Sequence, residues 1–269
     1  MRSIRFDRYD KLGWGGAVRL RRVRGILQFD FAAKELTIKL VYYGPALSGK
    51  TTNLQSLYLL ADSASRGRLM TLETRDDRTL FFDMLPLTFR ANKDMSIRIK
   101  LFTVPGQVIH GSTRRLVLQS ADGVVFVADS QLSETANNAA SFVDLRENLK
   151  ANGMGIGQMP LVIQFNKRDM PDVRSDVELI ELARRGKEPV FPAIATANRG
   201  VVETFMGLLH LTYAAVDAEH KLNEKFGLGG PALLADVARK LGSKVPAEQL
   251  LRSCLGGALD VLSSETSTP

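Results

Sequence analysis

The chain has 269 residues, 45% hydrophobic and 24% charged, a composition that fits one well-cored domain with appendages and excludes wholesale disorder. Of its formal charge of +7, six sit in the first 25 residues, where eight cations face two anions, leaving one net positive charge for the other 244 and excluding a basic nucleic-acid-binding domain. The single cysteine, Cys254, excludes an internal disulfide and fits a reducing compartment, and no apolar run reaches the length of a membrane-spanning helix.

Three parts are expected: a basic N-terminal extension over residues 1–34, an α/β domain over 35–217 and a helical C-terminal tail over 218–269. The extension is read as flexible and carries the one tryptophan, Trp14. Two readings of it stand side by side: an arm for anionic lipid or an acidic partner, and an upstream error in the gene start. Met1-Arg2 lacks a myristoylation glycine and Ser267-Thr268-Pro269 is not a prenylation box, so a membrane visit is expected to do without those anchors.

In chain order, Leu36 to Tyr43 is a predicted strand that runs directly into Gly44-Pro45-Ala46-Leu47-Ser48-Gly49-Lys50-Thr51. That octapeptide matches the P-loop pattern G-x-x-x-x-G-K-[ST] at every fixed position and lies between a strand and a helix start, where the mechanism needs it. Backbone N–H groups of such a loop wrap phosphates, because a helix N-terminus offers unpaired donors and a favourable dipole. Lys50 is expected on the β- and γ-phosphates and the Thr51 hydroxyl on Mg²⁺, with Thr52 completing the phosphate contacts.

Thr79–Leu85 and Ser96–Phe102 are read as the next two strands and as antiparallel neighbours. Thr103-Val104-Pro105-Gly106-Gln107 follows. Ras-like enzymes have D-x-x-G-Q at this place, with Asp holding Mg²⁺ through water, Gly sensing the γ-phosphate and Gln orienting the attacking water. Thr103 stands in place of that Asp; a hydroxyl can bond a metal-bound water but brings no negative charge, so weaker Mg²⁺ retention is expected. Gly123–Ala128 and Leu161–Phe165 are continuous apolar runs, as in strands buried on both faces. Between them Phe142, Leu145 and Leu149 mark a helix face ended by Gly153.

Asn166-Lys167-Arg168-Asp169 follows the last of these strands, about 115 residues after the P-loop. A carboxylate at its fourth position accepts from the N1–H and N2–H₂ of guanine; adenine lacks that donor pair and would leave the carboxylate unpaired. The two motifs together select GTP and GDP over ATP. Val202, Phe205, Met206, Leu209 and Tyr213 mark a last amphipathic helix. In the tail, Leu233, Val237 and Leu241, then Leu250, Leu251, Cys254, Leu255 and Leu262, recur at roughly helical spacing, with packing onto the domain preferred over binding a partner. His110, His210 and His220 show no ligand spacing, and Asp129 at a strand end is not read as a Walker B aspartate.

The strings around these motifs resemble the bacterial MglA-type gliding-motility and cell-polarity GTPases over about residues 35–215. They include Tyr42-Tyr43-Gly44-Pro45, Gly49 to Leu54, Asp77 to Asp83, Leu85-Pro86-Leu87, Thr103 to Gln107, Gly123 to Gln131 and Asn166 to Asp169. The Asp-to-Thr exchange at 103 is itself a mark of that family. The resemblance implies a Ras-like P-loop GTPase fold: a mostly parallel central sheet with helices on both faces and switch loops near 62–79 and 103–118. It makes Thr79 the switch I threonine on Mg²⁺ and the γ-phosphate, and Arg78 a built-in arginine finger paired with Gln107. Ala195 and Thr196 fall where Ras-like proteins have the S-A-K loop, with an alanine N–H on the guanine carbonyl. A roadblock-fold activating partner, downstream effectors and a cytoplasmic, bacterial setting with recruitment to a pole or membrane surface are implied as well. The rival reading is a nucleotide-bound scaffold that hydrolyses nothing, with Thr103 as its first sign; Lys50, Thr51, Arg78, Thr79 and Gln107 speak against it.

Overall fold

A computed structural model describes residues 28–30, 32–72, 82–90, 95–106, 111–186 and 188–254. Among these, eight strands form one sheet: β1 (Gln28–Asp30), β2 (Glu35–Tyr43), β3 (Met70–Leu72), β4 (Phe82–Arg90), β5 (Ser96–Thr103), β6 (Gly123–Asp129), β7 (Leu161–Asn166) and β8 (Val190–Pro192). Their order is β3-β4-β5-β2-β6-β7-β8, with β1 beside the start of β2. From β5 to β8 the neighbours run parallel, while β4 is antiparallel to β5, β3 to β4 and β1 to β2. The sheet is therefore mostly parallel.

Alternation along the strands feeds a core on each face. Leu36, Ile38, Leu40 and Tyr42 of β2 and Val125 and Val127 of β6 point into one cluster; Val41, Tyr43, Val124, Phe126 and Ala128 point into the other. Helices α1 (Lys50–Leu60) and α5 (Val201–His220) supply the first cluster, through Leu54, Leu57, Phe205 and Leu209 among others. Helices α2 (Gly111–Leu118), α3 (Thr135–Ala151) and α4 (Asp176–Arg185) supply the second, through Val117, Leu145, Leu149 and Leu179. Every residue of β6 is buried, the consequence of covering both faces of a central strand.

The expected strand over 79–85 is shifted. The observed β4 runs to Arg90, because Leu85, Leu87 and Phe89 continue a period-two buried face beyond Pro86; residues 79–81 lie outside the described residues. Pro86 is tolerated because its N and O face away from β5, where its carbonyl accepts the Gly67 N–H at 2.8 Å. Three short strands, β1, β3 and β8, were not expected from the sequence. The first carries residues 28–30 of the expected flexible extension into the sheet, and Phe29 stacks on Phe226 with ring centroids 5.3 Å apart.

The tail forms α6 (Leu222–Phe226), α7 (Gly230–Lys240) and α8 (Ala247–Leu251). Leu233, Val237, Leu241, Leu250 and Cys254 are buried in the first cluster, whereas Leu255 and Leu262 lie outside the described residues. Tyr213 on α5 donates its hydroxyl to the Leu228 carbonyl, and the Asp62 N–H, just after α1, donates to Lys240 O at 2.9 Å. The tail is thus tied to the end of α1 as well as to the core. Among the described residues no helix is long and apolar enough to cross a membrane.

Candidate functional site

The site lies at the carboxyl ends of β2, β5 and β7, where an open parallel sheet leaves its crevice. Two glycines shape the loop after β2. Gly44 has φ +148° and a Cβ there would sit 2.2 Å from Val127 O; Gly49 has φ +98° and a Cβ there would meet the Asn166 side chain at 2.1 Å. Leu47, a non-glycine residue at φ +61°, is 87% exposed. Helix α1 starts at Lys50 with no acidic side chain in its first turn, so its N-terminal N–H groups and dipole face the loop uncompensated. The Ser48 hydroxyl is buried in the loop without a hydrogen-bond partner among the described residues. A buried polar atom left over in a loop of donors fits an anion held there.

The Lys50 side chain is 7% exposed and its Nζ donates to Gly44 O at 3.0 Å and Pro45 O at 2.6 Å. Burial pushes its ammonium down to about 8; the positive charge of Arg114 adds to this, and the Asp83 carboxylate opposes it. A cation that is costly to bury and rests on two carbonyls is poised for an anionic partner.

Asn166 at the end of β7 links the expected base end to the phosphate end. Its Nδ2 donates to Ser48 O at 2.9 Å, and its Oδ1 accepts from the Ala195 N–H at 2.9 Å. Lys167, at φ +63°, pairs with the buried Asp129 at 2.6 Å, which gives Asp129 a positioning role beside the motif. Asp169 is exposed in the turn that follows. Ala195 is buried and Thr196 exposed. The Ala195 N–H expected on a guanine carbonyl is thus committed to Asn166.

At the other end, Gly106 lies flat against the P-loop: a Cβ there would be 2.4 Å from both N and Cα of Ala46. Thr103 is buried, and its hydroxyl accepts from the Asp83 N–H at 2.8 Å and donates to Asp83 Oδ2 at 3.1 Å. Thr51 donates its hydroxyl to the same Oδ2 at 2.6 Å, and Thr71 to Oδ1 at 2.8 Å. Hydroxyl and carboxylate oxygens are the hard donors that suit Mg²⁺. Among the described residues no group of three or more His, Cys, Asp or Glu could hold a metal. A cation here would therefore draw on Thr51, water and phosphate rather than on a protein cage.

Arg78, Thr79 and Gln107 lie outside the described residues, as do Arg75 and His110. The structure brings together Gly44, Ser48, Gly49, Lys50, Thr51, Thr103, Gly106, Asn166 and Ala195. Sequence reasoning missed Asp83. The signal was present: Asp83 shares its strand face with Leu85, Leu87 and Phe89, a charge where alternation calls for an apolar residue.

No family model matches the chain. Over 182 residues, 68% of this chain and 93% of the relative, the sequence is 41% identical to the mutual gliding-motility protein MglA of Myxococcus xanthus.

Proposed function

This chain belongs to the MglA family of small Ras-like GTPases, and on that premise we propose that it is a switch that binds GTP or GDP with Mg²⁺ and hydrolyses GTP to GDP and phosphate, slowly until a partner stimulates it. The observation that carries this reading is Asn166, which ties the loop of Ser48 to the turn of Ala195 and so holds the two loops in register.

Gly44, Pro45, Ala46, Leu47, Ser48 and Gly49 give the loop that wraps the phosphates; Lys50 leaves the carbonyls of Gly44 and Pro45 for phosphate oxygens, and Thr51 and Thr52 open the helix beneath them. Bound Mg²⁺ would neutralise charge on the phosphate oxygens, held by Thr51 and Thr79 with Thr103 nearby. Asp169 accepts from the guanine edge, Lys167 flanks the base, and with the Ala195 N–H already taken, the exposed turn at Thr196 is the nearer source of a donor for the guanine carbonyl. Gly106 has room for phosphate only while it carries no side chain, since any Cβ would strike Ala46. Arg78 stabilises charge that builds on the transferring phosphoryl group and Gln107 aligns the attacking water.

The relative's name concerns gliding motility, and we extend that role, with cell polarity, to this chain. The expected partner is an activating protein of the roadblock fold, with effectors reading the switch loops and the basic extension meeting an anionic membrane surface. Calorimetry with GDP, GTP, ATP and XTP tests the reading. The wild-type chain binds GDP and GTP and rejects ATP, and Asp169→Asn moves preference towards XTP, whose 2-oxo group accepts where guanine donates. Equal binding of ATP and GTP would overturn the guanine assignment.

A further inference from the structure

Two residues before Asn166, β7 places a glutamine where the sheet calls for an apolar side chain. Gln164 is fully buried, and its neighbours in register are Val127 on β6 and Phe191 on β8, both in the first core cluster. Facing it from α1 is Asn53, also fully buried. The two amides bond each other twice: Asn53 Nδ2 donates to Gln164 Oε1 at 2.8 Å, and Gln164 Nε2 donates to Asn53 Oδ1 at 2.9 Å. Their other hydrogens are used as well, by Asn53 Nδ2 on Gly49 O at 3.0 Å and by Gln164 Nε2 on the Thr204 hydroxyl at 2.9 Å.

Each of these contacts leads to a loop of the site. Gly49 closes the P-loop. Thr204 passes its own proton to the carbonyl of Gly200, which ends the turn that carries Ala195 and Thr196. One turn further along α1, the Ser56 hydroxyl donates to Asn198 Oδ1 in that same turn at 2.6 Å. Apolar side chains would seal this face with less at stake, because a buried amide is costly unless its bonds are made. Apolar burial is non-directional, however, whereas a hydrogen bond weakens steeply away from its distance and angle. The amide pair therefore fixes where the N-terminus of α1 stands relative to the end of β7.

Resting on the nucleotide reading above, we propose that Asn53 and Gln164 are positioning residues for the nucleotide. They form a buried amide clasp that, with Thr204 and the Ser56–Asn198 bond, sets the span between the phosphate-binding start of α1 and the guanine-facing turns. The clasp touches no nucleotide atom. Its effect is on binding the two halves of one ligand at once, as the span between two linked sites governs their joint affinity.

The test is displacement of mant-GDP from the full chain, at fixed Mg²⁺, by GDP, by guanosine and by inorganic diphosphate. Asn53→Leu/Gln164→Met replaces both amides with apolar side chains of similar shape, and removing both partners together leaves neither one orphaned. This double variant should bind guanosine and diphosphate each within ~3-fold of wild type, yet lose at least ~10-fold in GDP affinity. A purely structural role would weaken all three together or none. Ser56→Ala, which keeps both amides, should shift the same balance in the same direction and reads it if the double variant does not fold. GDP affinity that stays within ~3-fold of wild type, or that falls only in step with guanosine and diphosphate, overturns the clasp while leaving the nucleotide reading intact. A wild-type chain that retains no mant-GDP overturns the reading itself and the proposal with it.

Discussion

Asn166 and Ser48, 118 residues apart in the chain, are joined by a 2.9 Å hydrogen bond from the asparagine Nδ2 to the P-loop carbonyl. The other end of the same amide holds the Ala195 N–H at 2.9 Å, so one side chain fixes the spacing of two loops that share no secondary structure. Asn166→Ala leaves a buried carbonyl and a buried N–H without partners, each costing about 1–3 kcal/mol. GDP affinity should fall by roughly 10–100-fold, measured by calorimetry. A variant with wild-type affinity would mean that the loops hold their spacing without Asn166.

Lys50 should make binding depend on pH. Burial holds its ammonium at about 8 in the ligand-free chain, and a neighbouring phosphate favours the charged form, so the bound value is higher. The bound state then carries more proton between the two values, and affinity falls as pH rises through that window. GDP binding should lose up to ~10-fold per pH unit above about 8 and take up nearly one proton near about pH 9, read from calorimetry in buffers of different ionisation heat. Lys50→Arg, charged throughout, should abolish the uptake.

The tail should contribute to stability rather than to nucleotide contact. Leu233 on α7 is 1% exposed in the core cluster it shares with α5 and β4. Leu233→Ala should lower unfolding free energy by about 2–5 kcal/mol in urea titration. GDP affinity of the folded protein should be unchanged. A negligible loss would mean that the tail rests on the domain without being part of its core.

The chain's legibility divides by range of interaction. The P-loop and Asn166–Asp169 were readable because their chemistry is local: glycines at fixed offsets set the backbone, and a strand before each aims it. The same holds for β6 and β7, whose apolar runs report burial on both faces. What escaped depends on distant partners. β1 is three residues long and is held by β2 and by Phe226, nearly 200 residues away. Ala195 is expected at the base from its place in the chain, but the claim of Asn166 on its N–H is a tertiary fact. Asp83 acquires its meaning only from the strand register that sets it opposite Thr103 and beside Thr51. A charge on the apolar face of a strand was its one local sign.

Single-turnover hydrolysis with and without a roadblock-fold partner decides whether this site turns over GTP. An arginine stabilises charge on the transferring phosphoryl oxygens and a glutamine aligns water, so neither is needed to hold the ground-state nucleotide. The wild-type chain should release phosphate slowly alone and much faster with the partner. Arg78→Ala and Gln107→Ala should each bind GTP nearly as wild type yet lose at least ~100-fold of the stimulated rate, with the double variant little worse than either. GTP that stays bound and intact in the wild-type chain, with the partner present as without it, would contradict turnover and leave a nucleotide-bound scaffold in its place.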